Sequence, residues 1–385
     1  MMERVTRALK IEVPKELELL SEAFKVAEFD LYLVGGAVRD AVMGFAPKDF
    51  DVATNATPDE VIEILQTMSG WTLDLVGRSF GVVRARMNSG EFEIATFRKD
   101  IGEGRRPDSV EFTTIENDVL RRDLTINALF YDLNKHEIVD LVGGLNDIKL
   151  GVVRTVGNPV DRFREDRLRV LRAIRFAARF SWIIDGETRA AITVDSNLDG
   201  VSPERIRDEL VKGIKGQRAG IFMHMILSTF SMAHRVFPGL VIDHSAPFFT
   251  KSVPVLLASI ARLNDTATVS RILNELKYTS TEVTQTVFLM EFTYMTMDSA
   301  FRLKKRAKQC HIGDDLIREF ASMLNMHKSL VKSFLMFEPT VSGELVLSEG
   351  FFGKDCGLEI ERRETAIFKR LFSETYFERA DAKAA

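Results

Sequence analysis

Two aspartates separated by one residue, Asp49 and Asp51, give the strongest chemical signal in this sequence. On an extended segment, side chains two residues apart point to the same face, so these carboxylates can share divalent cations. The upstream segment Leu33–Asp40 contains a glycine pair whose backbone N–H groups can approach a polyphosphate. Together, the two features predict metal-dependent nucleotidyl transfer. The aspartate pair alone is better explained as an acidic surface strand.

A second polar cluster, Arg121–Ala128, places arginine, aspartate and asparagine among apolar residues. Arg121, Arg122, Asp123 and Asn127 supply donors and acceptors that suit ribose hydroxyls and phosphates. The intervening apolar side chains could face a core. The alternative is a solvated helix start, with the aspartate near the helix N-terminus.

A third cluster, Asp161–Arg179, is rich in arginine. Asp166 and Arg169 are three residues apart, so on a helix they are neighbours that could form a weak ion pair. They could also read a base, since cytosine and adenine each present an exocyclic amine beside an unprotonated ring nitrogen. Guanine and uracil have the opposite polarity, so this pair could admit CTP and ATP and exclude GTP and UTP. Arg172 and Arg175 suit a triphosphate or RNA backbone, although a solvated basic face remains the alternative.

The elements that position these residues follow from hydrophobic periodicity. Residues 1–30 have helical spacing, residues 31–155 alternate between short strands and helices, and helical patterns dominate from about Pro159 onward. Thr57–Glu60 has the sequence of a helix start with a capping box. The predicted strands are Leu31–Val34, Phe50–Thr54, Trp71–Leu75, Gly81–Met87, Phe92–Phe97 and Ile138–Asp140. The buried stripe predicted for the arginine-rich helix is Leu168, Leu171, Ile174 and Ala178.

Composition restricts the class of protein. A chain of 385 residues with 45% hydrophobic and 28% charged residues is expected to be globular, soluble and divided into two to four domains. No apolar stretch predicts a membrane span or a signal peptide, and Cys310 and Cys356 form no metal-binding or disulfide pattern, so a cytoplasmic location is expected. The net charge of −4 argues against nucleic-acid binding, but Arg154–Arg179 contains eight arginines and three acidic residues, a local charge of +5.

These motifs occur in one order that resembles the class II tRNA nucleotidyltransferases (CCA-adding enzymes) and their bacterial poly(A) polymerase relatives. The resemblance covers roughly residues 30–215, and Val201–Lys212 resembles the following helix motif of the family. It implies an α/β nucleotidyltransferase head, polymerase-β-like, with a small antiparallel or mixed sheet, followed by a mostly α-helical neck, body and tail. The implied domains are a catalytic head (1–155), a base-templating neck (156–215) and a tRNA-binding body and tail (216–385). The motifs that carry it are Val34–Asp40, Asp49–Asp51, Arg121–Ala128, Gly143–Gly144 with Asp147, and Glu165–Arg169.

The resemblance also implies roles for individual residues. Asp49 and Asp51 would bind the catalytic Mg2+ ions. A third carboxylate, Glu93 or Glu91 on the same strand face, could act as base for the primer 3′-hydroxyl. The implied nucleotide contacts are Gly36 and Arg39 at the triphosphate, Arg122 and Asp123 at the nucleotide and its ribose, Asp166 and Arg169 as the template for the base, and Arg172 and Arg175 in support.

Two segments favour the CCA-adding branch of this family. Poly(A) polymerase relatives carry two adjacent basic residues before a phenylalanine and then a histidine-bearing strand, whereas Gly77–Val83 has neither the second basic residue nor the histidine. The loop Arg98–Ser109 keeps Arg105 and Arg106 and has a length similar to that of full CCA-adding enzymes. None of the six histidines is followed by aspartate, so an appended His-Asp phosphohydrolase is not expected.

The expected reaction is transfer of C, C and A from CTP and ATP to the tRNA 3′ end without a nucleic-acid template, by two-metal in-line attack. The alternatives are poly(A) polymerase, A-only or CC-only addition, and a non-catalytic RNA-binding relative. Basic stretches such as Lys304–Arg306 and Lys212, Lys215 and Arg218 could hold the tRNA backbone or be solvated faces. No protein partner is implied.

Overall fold

The computed structural model describes residues 4–47, 49–87, 90–101 and 109–384. The chain divides into two compact units, Met1–Val201 and Ser202–Ala385. The first unit contains the α/β part predicted for the head together with the arginine-rich helix. The second contains the rest of the chain. The predicted three-part division at residues 155 and 215 stays a prediction.

The first unit is built on one large mixed sheet. Its described strands are β1 (Val5–Ala8), β2 (Leu31–Val34), β3 (Val52–Thr54), β4 (Thr72–Asp74), β5 (Val82–Met87), β6 (Gly90–Thr96), β7 (Arg98–Ile101), β8 (Ser109–Phe112), β9 (Phe130–Asp132), β10 (Glu137–Asp140), β11 (Val152–Val153) and β12 (Ile183–Ile184). Eight of them form a sheet in the order β1-β10-β9-β2-β3-β6-β5-β4. Every neighbouring pair in this sheet is antiparallel except β3 and β6, which are parallel. Strands β7 and β8 form an antiparallel pair, and β11 and β12 a parallel pair.

Helices pack around this sheet. Those of the first unit are α1 (Lys15–Val26), α2 (Gly36–Val42), α3 (Pro58–Gln66), α4 (Ile115–Leu120), α5 (Gly144–Leu150), α6 (Pro159–Glu165), α7 (Leu168–Phe180) and α8 (Gly186–Val194). Short 3₁₀ turns cover Arg78–Phe80 and Thr125–Asn127.

Both faces of the central strands are buried, because successive side chains of a strand alternate between faces. Leu31 and Leu33 of β2 join one apolar cluster with residues of α1 and α3. Tyr32 and Val34 join a second cluster, on the opposite face, with Phe130 of β9. The run Leu31–Val34 is therefore continuously apolar, as expected for a strand covered on two sides.

The six predicted strands are confirmed, with ends that agree within two residues. The helix start at Thr57 is also confirmed, since Thr57 and Glu60 form a reciprocal capping box. The expectation that residues 1–30 are helical is wrong in part. Val5–Ala8 is an edge strand paired with β10, and the first helix begins only at Lys15.

The described residues of the second unit form helices and no strand, as predicted. These helices are α9 (Pro203–Ile214), α10 (Ala219–His224), α11 (Ala233–Val236), α12 (Val253–Ile260), α13 (Thr266–Glu275), α14 (Ser280–Thr293), α15 (Ala300–Gln309), α16 (Asp314–Met323), α17 (Lys328–Met336), α18 (Gly343–Ser348) and α19 (Gly353–Ala384). A π-helical turn, Met225–Thr229, follows α10. Phe288, Phe292 and Phe334 are fully buried in this unit. In the part of the chain that the structure describes, no helix combines the length and apolarity needed to span a bilayer.

The Gly143–Gly144 turn holds the end of β10 against the second polar cluster. Asp140 caps the start of α5 by accepting hydrogen bonds from four successive backbone N–H groups, 142–145. Gly144 is buried, and a Cβ atom there would collide with the backbone carbonyl oxygen of Thr125. Asp147, one turn further on, accepts a hydrogen bond of 2.6 Å from the Thr125 hydroxyl. This motif therefore fixes the segment that leads into β9.

Gly144→Ala is expected to destabilise the first unit by about 1–3 kcal/mol, because the added methyl group overpacks a rigid backbone contact. Gly186→Ala is the matched control, since Gly186 also begins a helix but a Cβ atom there would meet open space. Its free energy of unfolding should change by less than about 0.5 kcal/mol. Urea unfolding of both variants checks this prediction, and equal losses would contradict it.

Candidate active site

Asp49 and Asp51 lie immediately before β3, at the edge of the sheet where the glycine turn begins. The backbone N–H of Val34 donates a hydrogen bond of 2.9 Å to the carbonyl oxygen of Asp51, so Asp51 continues the pairing of β2 and β3. The parallel register pairs Val52 with Ile94. Asp51 therefore lies beside Glu93 of β6, one residue earlier in the same register. The strand pairing thus explains why carboxylates distant in sequence meet at one edge.

The charges of Glu93 and Asp49 both act on the Asp51 carboxylate. Desolvation raises the pKa of Asp51, and the negative charges of Glu93 and Asp49 raise it further, whereas Arg122 lowers it. Mutually repelling oxygen ligands are a suitable donor set for a hard divalent cation, which would relieve this repulsion. No cluster of three or more His, Cys, Asp or Glu side chains within the described ranges could hold a metal by itself. The assignment of a divalent cation to Asp49 and Asp51 stays a prediction.

The two glutamates proposed as a third carboxylate, Glu91 and Glu93, have different surroundings. Glu91 forms an ion pair of 2.6 Å with Arg86 on β5. Glu93 lies 3.6 Å from Arg84, a longer contact, and is the one whose charge acts on Asp51. This difference favours Glu93 as the third carboxylate.

The glycine turn between β2 and α2 depends on Gly35, whose φ of 72° lies in the left-handed region that favours glycine. Gly36 begins α2, and a Cβ atom there would lie 3.4 Å from the Arg39 guanidinium. The space in front of Gly35 is open, whereas the Arg39 guanidinium lies next to Gly36. The triphosphate contact proposed for Gly36 stays a prediction.

Arg39 is almost completely buried, with 3% of its surface exposed. Its guanidinium donates to Asp40 over 2.8 Å and also to the side chain of Asn127. It stacks over Phe176 and Phe180, with 4.9 and 5.4 Å to the ring centroids. Burial lowers its pKa. The structure gives Arg39 a role in joining α2 to α7, and its triphosphate contact stays a prediction.

The second polar cluster is organised by a residue that sequence reasoning missed. Asp118 of α4 is buried, with 1% of its surface exposed, and accepts hydrogen bonds from Arg121 (2.8 Å) and Arg122 (2.9 Å). Arg122 also lies over the ring of Phe130, 4.6 Å from its centroid. Burial acts to raise the pKa of Asp118, but Arg122 and Arg121 outweigh it and hold that pKa below its usual range. The i, i+3 and i, i+4 spacing of Asp118 to the two arginines was the available signal.

Asp123 is bound within the protein. It accepts hydrogen bonds from the backbone N–H of Leu124 (2.8 Å), the amide of Asn127 (3.3 Å) and the guanidinium of Arg172 (2.6 Å). The alternative that this cluster is a solvated helix start is wrong, because Arg121 follows the end of α4. The expectation that its apolar residues face a core is confirmed for Leu124, Ile126, Ala128 and Leu129.

The expectation that Asp166 and Arg169 are neighbours on one helix is wrong. Asp166 is the residue that ends α6, with extended backbone (φ −148°, ψ 101°), and α7 starts at Leu168. Arg169 donates to Glu165 over 2.8 Å and to the backbone carbonyl oxygen of Arg121 over 2.6 Å. The two residues therefore flank a break between helices, and their assignment to base recognition stays a prediction.

Helix α7 turns its arginines toward aromatic rings. The guanidinium groups of Arg175 and Arg172 lie 4.3 and 5.8 Å from the ring centroid of Phe176. Arg179 lies over Phe180 and reaches Asp40 at 3.4 Å. The predicted apolar stripe is confirmed, since Leu168, Leu171, Ile174 and Ala178 are all buried.

Part of the loop used to choose within the family cannot be placed. Arg105 and Arg106 lie outside the described residues, while the ends of the loop form β7 and β8. Arg78, the single basic residue of Gly77–Val83, forms an ion pair of 2.6 Å with Asp59 on α3.

A mixed sheet with acidic residues at the edge of a parallel strand pair, next to a glycine turn, defines this unit as a nucleotidyltransferase head. Residues 31–154 match the family described as the poly A polymerase head domain. The match covers the segment that carries Asp49, Asp51, Glu93 and Arg122.

The curated relatives come from both branches. The chain is 41% identical over 210 residues to the CCA-adding enzyme of Ligilactobacillus salivarius (strain UCC118), a match covering 54% of this chain and 50% of the relative. It is 37% identical over 227 residues to poly(A) polymerase I of Salmonella typhi, covering 55% of this chain and 47% of the relative. The match thus spans about half the length of these curated relatives.

Solved structures extend the likeness in fold to nearly the whole chain. A Bacillus stearothermophilus CCA-adding enzyme in complex with CTP aligns with a TM-score of 0.65 and 22% identity, covering 96% of this chain and 99% of that one. A complex of a CCA-adding enzyme with ATP aligns with a TM-score of 0.68 and 21% identity, covering 99% and 98%. These alignments therefore confirm the helical fold that we expected for the second unit.

Asp123→Asn should cost about 1.5–3 kcal/mol at pH 7, because a largely buried charged hydrogen bond to Arg172 is lost. Burial acts to raise the pKa of Asp123, but Arg172 and the other hydrogen bonds lower it overall. The stabilisation is thus fully present above the unfolded-state pKa of about 4 and is lost as the pH falls through the lower folded-state value. In urea unfolding, the difference in free energy of unfolding between wild type and Asp123→Asn should shrink as the pH is lowered from 7 to 3.

Asp161→Asn is the control, since its ion pair with Arg164 is 3.3 Å long and exposed. Its effect should stay below about 1 kcal/mol at every pH. If Asp123→Asn lost the same amount of stability at pH 7 and at pH 3, the charged hydrogen bond between Asp123 and Arg172 would not be the source of that stability.

Proposed function

We propose that this protein is a CCA-adding tRNA nucleotidyltransferase, which adds C, C and A to tRNA 3′ ends from CTP and ATP. The convergence of Asp49, Asp51 and Glu93 at one sheet edge, within the field of Arg122, carries this proposal. Phosphoryl transfer needs acidic residues that can bind a metal ion, and it needs a positively charged group opposite them, here Arg122.

In the proposed reaction, the tRNA 3′-hydroxyl attacks the α-phosphate of CTP or ATP in line with the leaving pyrophosphate. Asp49 and Asp51 would hold Mg2+ ions, which neutralise charge on the reacting phosphate when bound. Glu93 takes the proton from the attacking hydroxyl. The backbone of the turn at Gly35 and Gly36 receives the phosphates, because a Cβ atom at Gly35 would meet open space and the Arg39 guanidinium lies next to Gly36.

Selection of the base is assigned to Asp166 and Arg169. Arg169 is held by Glu165 and by the backbone carbonyl of Arg121, so its guanidinium is fixed before a nucleotide binds. A donor at Arg169 and an acceptor at Asp166 would fit the amine and ring nitrogen of cytosine and adenine, whereas uracil and guanine present the opposite polarity.

Poly(A) polymerase is the second candidate, because curated relatives of that name match the chain at similar identity. Gly77–Val83 lacks the second basic residue and the histidine of that branch, which supports CCA addition. The helical second unit has the fold of CCA-adding enzymes, including a Thermotoga maritima enzyme complexed with tRNA (TM-score 0.67, 20% identity, covering 97% of this chain and 99% of that one), which supports tRNA as the partner.

The decisive experiment offers three tRNAs, which lack the whole CCA end, its last two residues or only the final A. Each receives labelled CTP or ATP. We expect C to enter the first two and A to enter only the third, with both nucleotides together restoring a full end. Long A tracts on any RNA would identify a poly(A) polymerase. Incorporation of C without A would identify a CC-only enzyme, and incorporation of A without C an A-only enzyme. Binding of tRNA without incorporation would indicate a non-catalytic relative.

Substitution of single carboxylates separates their roles. Asp51→Asn should abolish incorporation of both nucleotides while tRNA binding persists, because the metal loses a charged ligand. Glu93→Gln should lower kcat by about 10²–10⁴-fold, the usual contribution of a general base. Glu91→Gln, two residues away on the same strand, is the control and should retain nearly full activity, since Glu91 pairs with Arg86. Equal effects of the two glutamine variants would reject Glu93 as the third carboxylate.

A further inference from the structure

Asp118 is a buried charge of the head that the proposed reaction does not use. Besides the two arginines, it accepts a hydrogen bond of 3.3 Å from the backbone N–H of Arg98, where β7 begins. One carboxylate oxygen receives Arg121 and Arg98, and the other receives Arg122. A carboxylate with this number of donors and 1% exposure has one permitted orientation.

The two arginines repel each other and require this carboxylate. Burial lowers the pKa of Arg122, and the charge of Arg121 lowers it further, while Asp118 is the first opposing influence. Without a negative charge at residue 118, two adjacent guanidinium groups would separate, because like charges in a poorly solvated site repel strongly. Asp118 therefore determines where both arginines lie.

Each arginine leads to a different part of the candidate site. Arg122 lies over Phe130 and acts electrostatically on Asp51. The backbone carbonyl of Arg121 accepts a hydrogen bond of 2.6 Å from Arg169. The phosphate side and the base side of the proposed nucleotide site are thus both linked to one buried residue, Asp118, whose 1% exposure leaves almost no surface to touch a substrate.

We propose that Asp118 is a positioning residue that sets nucleotide selectivity by fixing Arg122 and, through the Arg121 backbone, Arg169. The inference rests on the proposed function, because it assigns Arg169 to the base. It goes further in naming a residue that contacts no nucleotide as a determinant of base choice. A purely structural role predicts lower stability with unchanged selectivity, so selectivity is the quantity to measure.

The test compares Asp118→Asn with Asp132→Asn. Asp132 is also buried in the head, accepts hydrogen bonds from the backbone N–H groups of Asn134 and Lys135, and pairs with Lys135 at 3.0 Å. Both variants lose a buried carboxylate, but only Asp118→Asn releases the arginines. Steady-state kinetics with CTP and UTP on tRNA lacking its CCA end is measured well below the melting temperature of each variant.

For Asp118→Asn, the ratio of kcat/KM for CTP to that for UTP should fall about tenfold or more, the effect of losing a charged hydrogen bond, while KM for tRNA stays unchanged. Asp132→Asn should keep the wild-type ratio. Equal ratios in the two variants, or a loss of tRNA affinity that accounts for the change, would overturn the proposal.

Failure of the proposed function gives a different result when the wild-type protein does not incorporate CTP, as in a poly(A) polymerase, an A-only enzyme or a non-catalytic relative. In that case, titration calorimetry with CTP and UTP on the wild type and both variants decides the inference. A weaker preference for CTP in Asp118→Asn alone supports it. The same preference in all three proteins, or no nucleotide binding by the wild type, overturns it.

Discussion

The first unit depends on one electrostatic constraint, which is that several guanidinium groups lie close together and repel one another. Arg39, Arg122 and Arg172 approach the same region from α2, the α4–β9 segment and α7. Each is held by an aspartate of its own surroundings, namely Asp40, Asp118 and Asp123 respectively. Buried or half-buried charges are tolerated only when they are paired. The internal aspartates therefore hold these arginines together in the folded unit.

Aromatic rings also help to hold these guanidinium groups in place. Phe130, Phe176 and Phe180 lie beneath guanidinium groups, and a flat cation can stack on a ring while its edges form hydrogen bonds. Lysine could not replace arginine at these places, because it lacks the planar group that stacks and donates to two acceptors at once. The arginine richness seen in the sequence is thus explained by packing as well as by charge.

Much of the fold was predictable because local patterns determine it. The continuous apolar run of β2, the capping box at Thr57 and the 3.6-residue period of α7 each specify one element by short-range chemistry. Non-local features were not predictable in this way. The break between α6 and α7 at Asp166 depends on an extended residue inside a helical pattern, and the pairing of Val5–Ala8 with β10 joins segments more than 120 residues apart. The role of Asp118 was missed because an aspartate three and four residues before arginines is typical of any exposed helix.

The parallel pairing of β3 with β6 has a consequence for how such a head can change over time. Antiparallel neighbours can be joined by a short hairpin, but a parallel pair requires a crossover, here supplied by α3, β4 and β5. Asp51 and Glu93 are aligned by hydrogen bonds between their own strands and not by the length of that crossover. Insertions, deletions and even replacement of the β4 edge can therefore accumulate between them while the spacing of the two carboxylates persists. The segment is the natural place for relatives to diverge in size and for engineers to graft a new module.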